Sequence, residues 1–194
     1  MISKITNEFI LLKDQLNLPR SVIYDAYDIF KNIPHHMFMG RKIQLMLGTC
    51  VYISCRNAEI PIHIIEISSI FGVRELHMER SFRFILNGCG LNVKPINPIN
   101  YVYRATQNLK VSDKVKTDSI DILKRVHEKG GLCGKNPFTI LASSIYLACI
   151  ENCEYVTPDS IAHESGITLL SLTNTYKIMK EMICVNPKIN MYNN

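Results

Sequence analysis

The chain has 194 residues, 47% of them hydrophobic, and carries 22 Lys and Arg against 17 Asp and Glu, a formal net charge of +5. That length holds one large domain or two small ones, each with its own core, and the charge permits a polyanionic partner without requiring one. Seven cysteines, an odd number with no secretory signal ahead of them and mostly inside apolar runs, read as reduced, buried thiols of an intracellular protein. No Cys-x-x-Cys pair occurs, so no structural zinc site is expected, and the longest apolar run, Ile43 to Cys55, is too short for a membrane span of about 20 residues.

Taken in chain order, apolar periodicity and capping signals predict helices near 3–16, 20–32, 41–57, 62–71 and 75–87. Further helices are expected near 99–109, 113–129, 137–152, 158–165 and 169–184. Between the two sets, Pro95 and Pro98 with Asn92 and Asn97 favour an extended connection. Asn136-Pro137 and Thr157-Pro158 place a capping side chain just before a proline at the first helical position, and Ser112 can cap the helix that begins at Asp113. Gly72 and Gly166 suit the left-handed residue that ends a helix. Sustained period-two alternation is rare, so strands are not expected.

The chain repeats itself at an offset of 94 residues. Gly40 falls on Gly134, Leu47 on Leu141, Tyr52 on Tyr146, Cys55 on Cys149, Ile67 on Ile161, Gly72 on Gly166 and Leu76 on Leu170. Conservative pairs fill the gaps, among them Arg41 with Lys135 and Phe82 with Tyr176. The third helix of each set is apolar or small on nearly every side, over Leu45–Cys55 and Ile140–Ile150, which marks a helix enclosed by others. Gly48, Thr49 and Cys50, then Ala142, Ser143 and Ser144, let its neighbours approach closely. The expected fold is therefore all-α: two tandem five-helix repeats, residues 1–93 and 98–194, joined by a linker at 94–97, the second ending in a helix-turn-helix.

This description resembles the cyclin fold, and the residues resemble TFIIB-like general transcription initiation factors in particular. The run Gly134-Lys135-Asn136-Pro137-Phe138-Thr139-Ile140-Leu141-Ala142-Ser143-Ser144-Ile145-Tyr146-Leu147-Ala148-Cys149 is similar to the TFIIB repeat signature. Gly40 to Cys55 is similar to the same signature, with Leu45 where a small or hydroxyl residue is usual, and Leu16-Asn17-Leu18-Pro19-Arg20 is similar to the opening of a first TFIIB repeat. The resemblance implies a core that binds a TATA-binding protein on promoter DNA and supports recruitment of RNA polymerase, with no catalysis and no cofactor. Proteins of that family typically begin with a zinc ribbon and a reader segment, whereas Met1 here stands almost directly on the first repeat. The core alone, or a relative without a ribbon, would fit. Such a factor works in the nucleus of a eukaryote, or in the cytoplasm of an archaeon or of a cell infected by a cytoplasmic DNA virus. Two alternatives share the fold: a cyclin-class interaction module such as a kinase activator, and a TFIIB-related factor of another polymerase system.

Thr157 to Met182 reads as a helix-turn-helix, whose second helix can enter a major groove. Matched to the family, the base-reading positions are Leu170 and Thr173, with Ser171 and Asn174 beside them and Lys177 near phosphate. Relatives with a known upstream preference carry arginine at the place of Thr173, so that preference is expected to be weak or altered. In the first repeat the matched positions, Leu76 and Glu79, do not suit base reading, and Arg74, Arg80 and Arg83 are candidate phosphate contacts. Arg41, Lys42 and Lys135 are expected to begin the central helices, where positive charge opposes the helix dipole and so hints at an external anion. The core is expected to hold Ile161, Ile167, Leu172, Tyr176 and Met179. His35-His36 reads as a surface pair, and His127, His163, Cys133 and Asp159 form no catalytic set.

Overall fold

A computed structural model describes residue 9, residues 12–130 and residues 132–184. The chain divides into two compact units, Met1–Pro95 and Ile96–Asn194. The described residues contain helices and no strand, as the weak period-two signal predicts. No described helix is long and apolar enough to cross a membrane.

In the first unit, a helical stretch at 12–15 precedes α1 (Arg20–Asn32), a 3-10 turn (His35–Phe38), α2 (Ile43–Asn57), α3 (Ile64–Ile70) and α4 (Glu75–Cys89). Most of the helix expected near 3–16 lies outside the described residues. The second unit contains α5 (Ile99–Asn108), α6 (Asp113–Lys129), α7 (Pro137–Glu151), α8 (Pro158–Glu164) and α9 (Leu169–Cys184). The 94-residue offset carries over into backbone geometry. Positive φ recurs at Gly40 and Gly134, at Glu59 and Cys153, and at Gly72 and Gly166. α2 and α7, like α3 and α8, keep the same length at the same offset.

The caps are as the sequence predicts. Asn136 accepts from the Phe138 N–H, Thr157 from Ser160 and Ser112 from Val115, each meeting a donor that the first helical turn leaves open. Two helices end in a Schellman motif around a left-handed glycine. Ile167 N–H donates to Ala162 O and Gly166 N–H to His163 O, and Val73 and Gly72 repeat the pattern on Ser68 and Ser69.

Each unit is built round its all-apolar helix. In α2 every residue from Met46 to Cys55 is buried, and α1, α4 and α3 pack against it. In α7 Thr139, Leu141–Ile145 and Leu147–Cys149 are buried beneath α6, α9, α5 and α8. The apolar run is not enclosed on every side to its end: Ile150 is exposed, although Ala148 and Cys149 beside it are buried. Buried hydroxyls find carbonyls. Ser54 Oγ donates to Val22 O of α1 at 2.8 Å, and Ser143 Oγ donates to Leu172 O of α9 at 3.2 Å. One ring pair is duplicated, with Tyr52–Phe82 and Tyr146–Tyr176 both edge-to-face at 5.3 and 4.9 Å.

The cysteines divide. Cys50, Cys55 and Cys149 are buried, and burial pushes the Cys55 thiol up to about 12 and Cys149 up to about 11. Cys133 and Cys153 are exposed, against the expectation of buried thiols, because they lie in the loops before and after α7.

Close approach in the first unit depends on Gly48. A β-carbon there would lie 2.8 Å from Met78 Cε and 2.8 Å from a ring carbon of Phe71. Gly48→Ala is therefore expected to destabilise the first unit by about 1–3 kcal/mol, despite alanine's better helix propensity. Urea denaturation of the two proteins measures this, and an unchanged midpoint would contradict it.

Candidate nucleic-acid interface

The second unit's helix-turn-helix consists of α8, the glycine turn and α9. Thr168 closes the start of α9: its Oγ1 accepts from the Ser171 N–H at 3.2 Å and shares a hydrogen bond with Ser171 Oγ at 2.8 Å. A Thr three residues ahead of Ser171 is an ordinary capping signal that the sequence reading passed over.

Two faces of α9 are distinct. Leu172, Thr175 and Met179 point into the core and are buried. Ile161 is also buried, and Ile167 and Tyr176 pack half-buried against that core. Leu170, Thr173, Asn174 and Lys177 follow the i, i+3, i+4, i+7 spacing that puts residues on one helix face. Leu170 is 69% exposed, Asn174 and Lys177 are exposed, and Ser171 and Thr173 are half-buried. Thr173 Oγ1 donates back to its own helix, lying 3.1 Å from both Leu169 O and Leu170 O. Asn174 and Lys177 have no hydrogen bond or ion pair among the described residues.

The matched helix of the first unit, α4, carries a different face. Leu76 is exposed like Leu170, but Glu79 pairs with Arg83 at 3.6 Å and Arg74 bonds His77 at 3.1 Å. Burial, and then the charge of Glu79, hold the Glu75 carboxyl above its usual range. Arg80 is exposed and has no hydrogen bond or ion pair among the described residues.

Arg41, Lys42 and Lys135 do not begin the central helices. Lys42 is the N-cap of α2, Arg41 precedes it, and Lys135 lies two residues ahead of Pro137. Lys42 at the N-cap still opposes the helix dipole, and Arg41 and Lys135 lie just ahead of the caps. The guanidinium of Arg41 sits 3.7 Å over the Phe84 ring of α4 and donates to Met37 O and Met39 O at 3.2 and 3.4 Å. That structural task was invisible in sequence, since Phe84 is distant along the chain and no spacing rule links the two. Lys135 is exposed in the loop before α7. His35 and His36 are exposed in the 3-10 turn, and no group of three or more His, Cys, Asp or Glu among the described residues could hold a metal.

The arginines should separate on mutation. Arg41→Ala is expected to lower the stability of the first unit by about 0.5–1 kcal/mol, the usual range for an exposed cation–π contact. Arg80→Ala should stay within about 0.5 kcal/mol, as for a surface substitution without partners. Thermal melts of both variants decide the point, and equal losses would contradict it.

Comparison with known proteins accounts for this arrangement. The family model for the transcription factor TFIIB repeat matches residues 6–87 and again residues 91–182. Transcription initiation factor IIB 2 of Thermococcus kodakarensis is 32% identical over 176 residues, covering 90% of this chain and 58% of that protein. Transcription initiation factor IIB of Pyrococcus horikoshii is 30% identical over 178 residues, 90% of this chain and 59% of that protein. The same factor of Methanococcus maripaludis is 28% identical over 176 residues, 90% of this chain and 52% of its own length. The chain thus spans between half and three fifths of these relatives. Two repeat matches and two helical units with matching glycine stops, central helix and ring pair place the chain in the TFIIB repeat family, as a TFIIB-like factor with a cyclin-like fold.

Proposed function

We propose that the chain is the core of a transcription initiation factor, which binds a TATA-binding protein seated on promoter DNA and supports recruitment of RNA polymerase. The observation that carries this reading is the helix α9. It is held by Leu172, Thr175 and Met179 on one side and presents Leu170, Thr173, Asn174 and Lys177 on the other. The chain around it matches the TFIIB repeat twice. A helix-turn-helix with such a face suits the major groove.

In this reading Leu170 and Thr173, with Ser171 and Asn174 beside them, face base edges, and Lys177 faces phosphate. Arg74, Arg80 and Arg83 on the first repeat approach the backbone, and Lys42 and Lys135 are further phosphate contacts. Arg41 has two roles, since its guanidinium already rests on Phe84. Residues 94–97 act as the connection between repeats at 1–93 and 98–194.

A mobility shift with promoter DNA and TATA-binding protein tests the proposal. The expected result is a supershifted ternary complex that weakens as salt rises. Lys177→Ala should weaken it on every sequence and reduce the slope of log affinity against log salt by about 1. Failure to shift the protein–DNA complex, together with co-purification of a kinase, would favour the cyclin-class alternative instead. Polymerase binding is read separately, by pull-down with the ternary complex.

A further inference from the structure

The chemistry left free on α9 is narrower than its residue types suggest. Thr173 would ordinarily offer a hydroxyl donor to a base. Here its one proton is turned onto the Leu169 and Leu170 carbonyls, at 3.1 Å from each. Ser171 Oγ shares a hydrogen bond with Thr168 Oγ1 at 2.8 Å. What the leading face retains is the isobutyl group of Leu170, 69% exposed, the methyl group and acceptor oxygen of Thr173, and the amide of Asn174. No arginine lies on this face, so no side chain there can make the two-pronged contact with guanine O6 and N7.

Apolar side chains find one apolar partner in the major groove, the C5 methyl of thymine, and an asparagine amide matches adenine N6 and N7. We infer that Leu170 and Thr173 read thymine methyl groups, with Asn174 on an adjacent adenine, so that α9 selects A·T pairs by apolar contact and not guanine by charge. The inference rests on the proposed docking of α9 in the major groove and names what that docking recognises. Thr173 acts here as a methyl donor to packing. A serine keeps its hydroxyl but not its methyl, and a valine keeps the methyl but not its hydroxyl.

The test uses the full chain, a TATA-binding protein and duplexes with a TATA element and a randomised upstream segment. Selected sites are then remade with each upstream thymine replaced by deoxyuridine, which removes the C5 methyl and nothing else. We expect A·T pairs to be selected, and at least one replacement to weaken the ternary complex about fourfold, the ratio for one buried methyl-sized group. Thr173→Val should keep that sensitivity. Thr173→Ser and Leu170→Ala should each weaken the complex on the selected site and each remove the deoxyuridine sensitivity at the thymine that its own side chain meets.

A ternary complex indifferent to every deoxyuridine replacement would overturn the inference and leave the proposed function standing. So would selection of guanine that survives Thr173→Ser. Absence of any ternary complex would overturn the proposed function, and this inference with it.

Discussion

Both units depend on enclosing a helix that has no polar side. α2 and α7 are not amphipathic, so neither is stable at a surface. Each must be covered by neighbours that come close, and small residues make that possible. Gly48 sits against Met78 and Phe71, and Ala142, Ser143 and Ser144 are fully buried. The polar atoms drawn into this interior then need partners, because an unpaired buried hydroxyl costs about 1–3 kcal/mol. Ser54 and Ser143 reach carbonyls of neighbouring helices and so tie the central helix to α1 and α9.

This constraint also positions the candidate interface. α9 is the cover over α7, and the Ser143 bond to Leu172 O holds it at the start of its buried face. Rotation of α9 would withdraw Leu172 and Met179 from the core, so the side facing outward is decided by the side facing inward. The two repeats share this device but use the outer face differently. On α4 charged groups pair with one another, as Glu79 with Arg83. On α9 the outer face opens with apolar and amide groups at Leu170, Thr173 and Asn174, followed by Lys177 and Lys180. Duplication has kept the frame and let the faces diverge.

Much of this was legible in the sequence, and for physical reasons. Helix spans could be read because apolar spacing, Asn136-Pro137, Thr157-Pro158 and the two glycine stops act locally. The central helices could be read because an all-apolar segment has few places to go. The buried side of α9 was legible at Leu172 and Met179, while its outer positions came from the match to the family and the buried Thr175 was not expected. What escaped depended on contacts distant in sequence or on hydrogen bonds within a turn. Arg41 read as a free cation opposing a helix dipole, whereas it lies on Phe84 ahead of the helix. Thr173 read as a lost arginine, but the fate of its hydroxyl needed coordinates. Cys133 and Cys153 were grouped with the cysteines of the apolar runs, but they lie in loops and are exposed.

The central claim is that α9 is fixed from beneath by α7 and engages a promoter complex with its opposite face. Hydrogen exchange of the full chain, free and with a TATA-binding protein–promoter complex, tests it most directly. The account predicts that amides of Ile43–Asn57 and Pro137–Glu151 exchange slowest in the free protein and change little on binding. It predicts new protection at 168–177. Fast exchange in the two central helices, or no change at 168–177 in a complex that demonstrably forms, would contradict it.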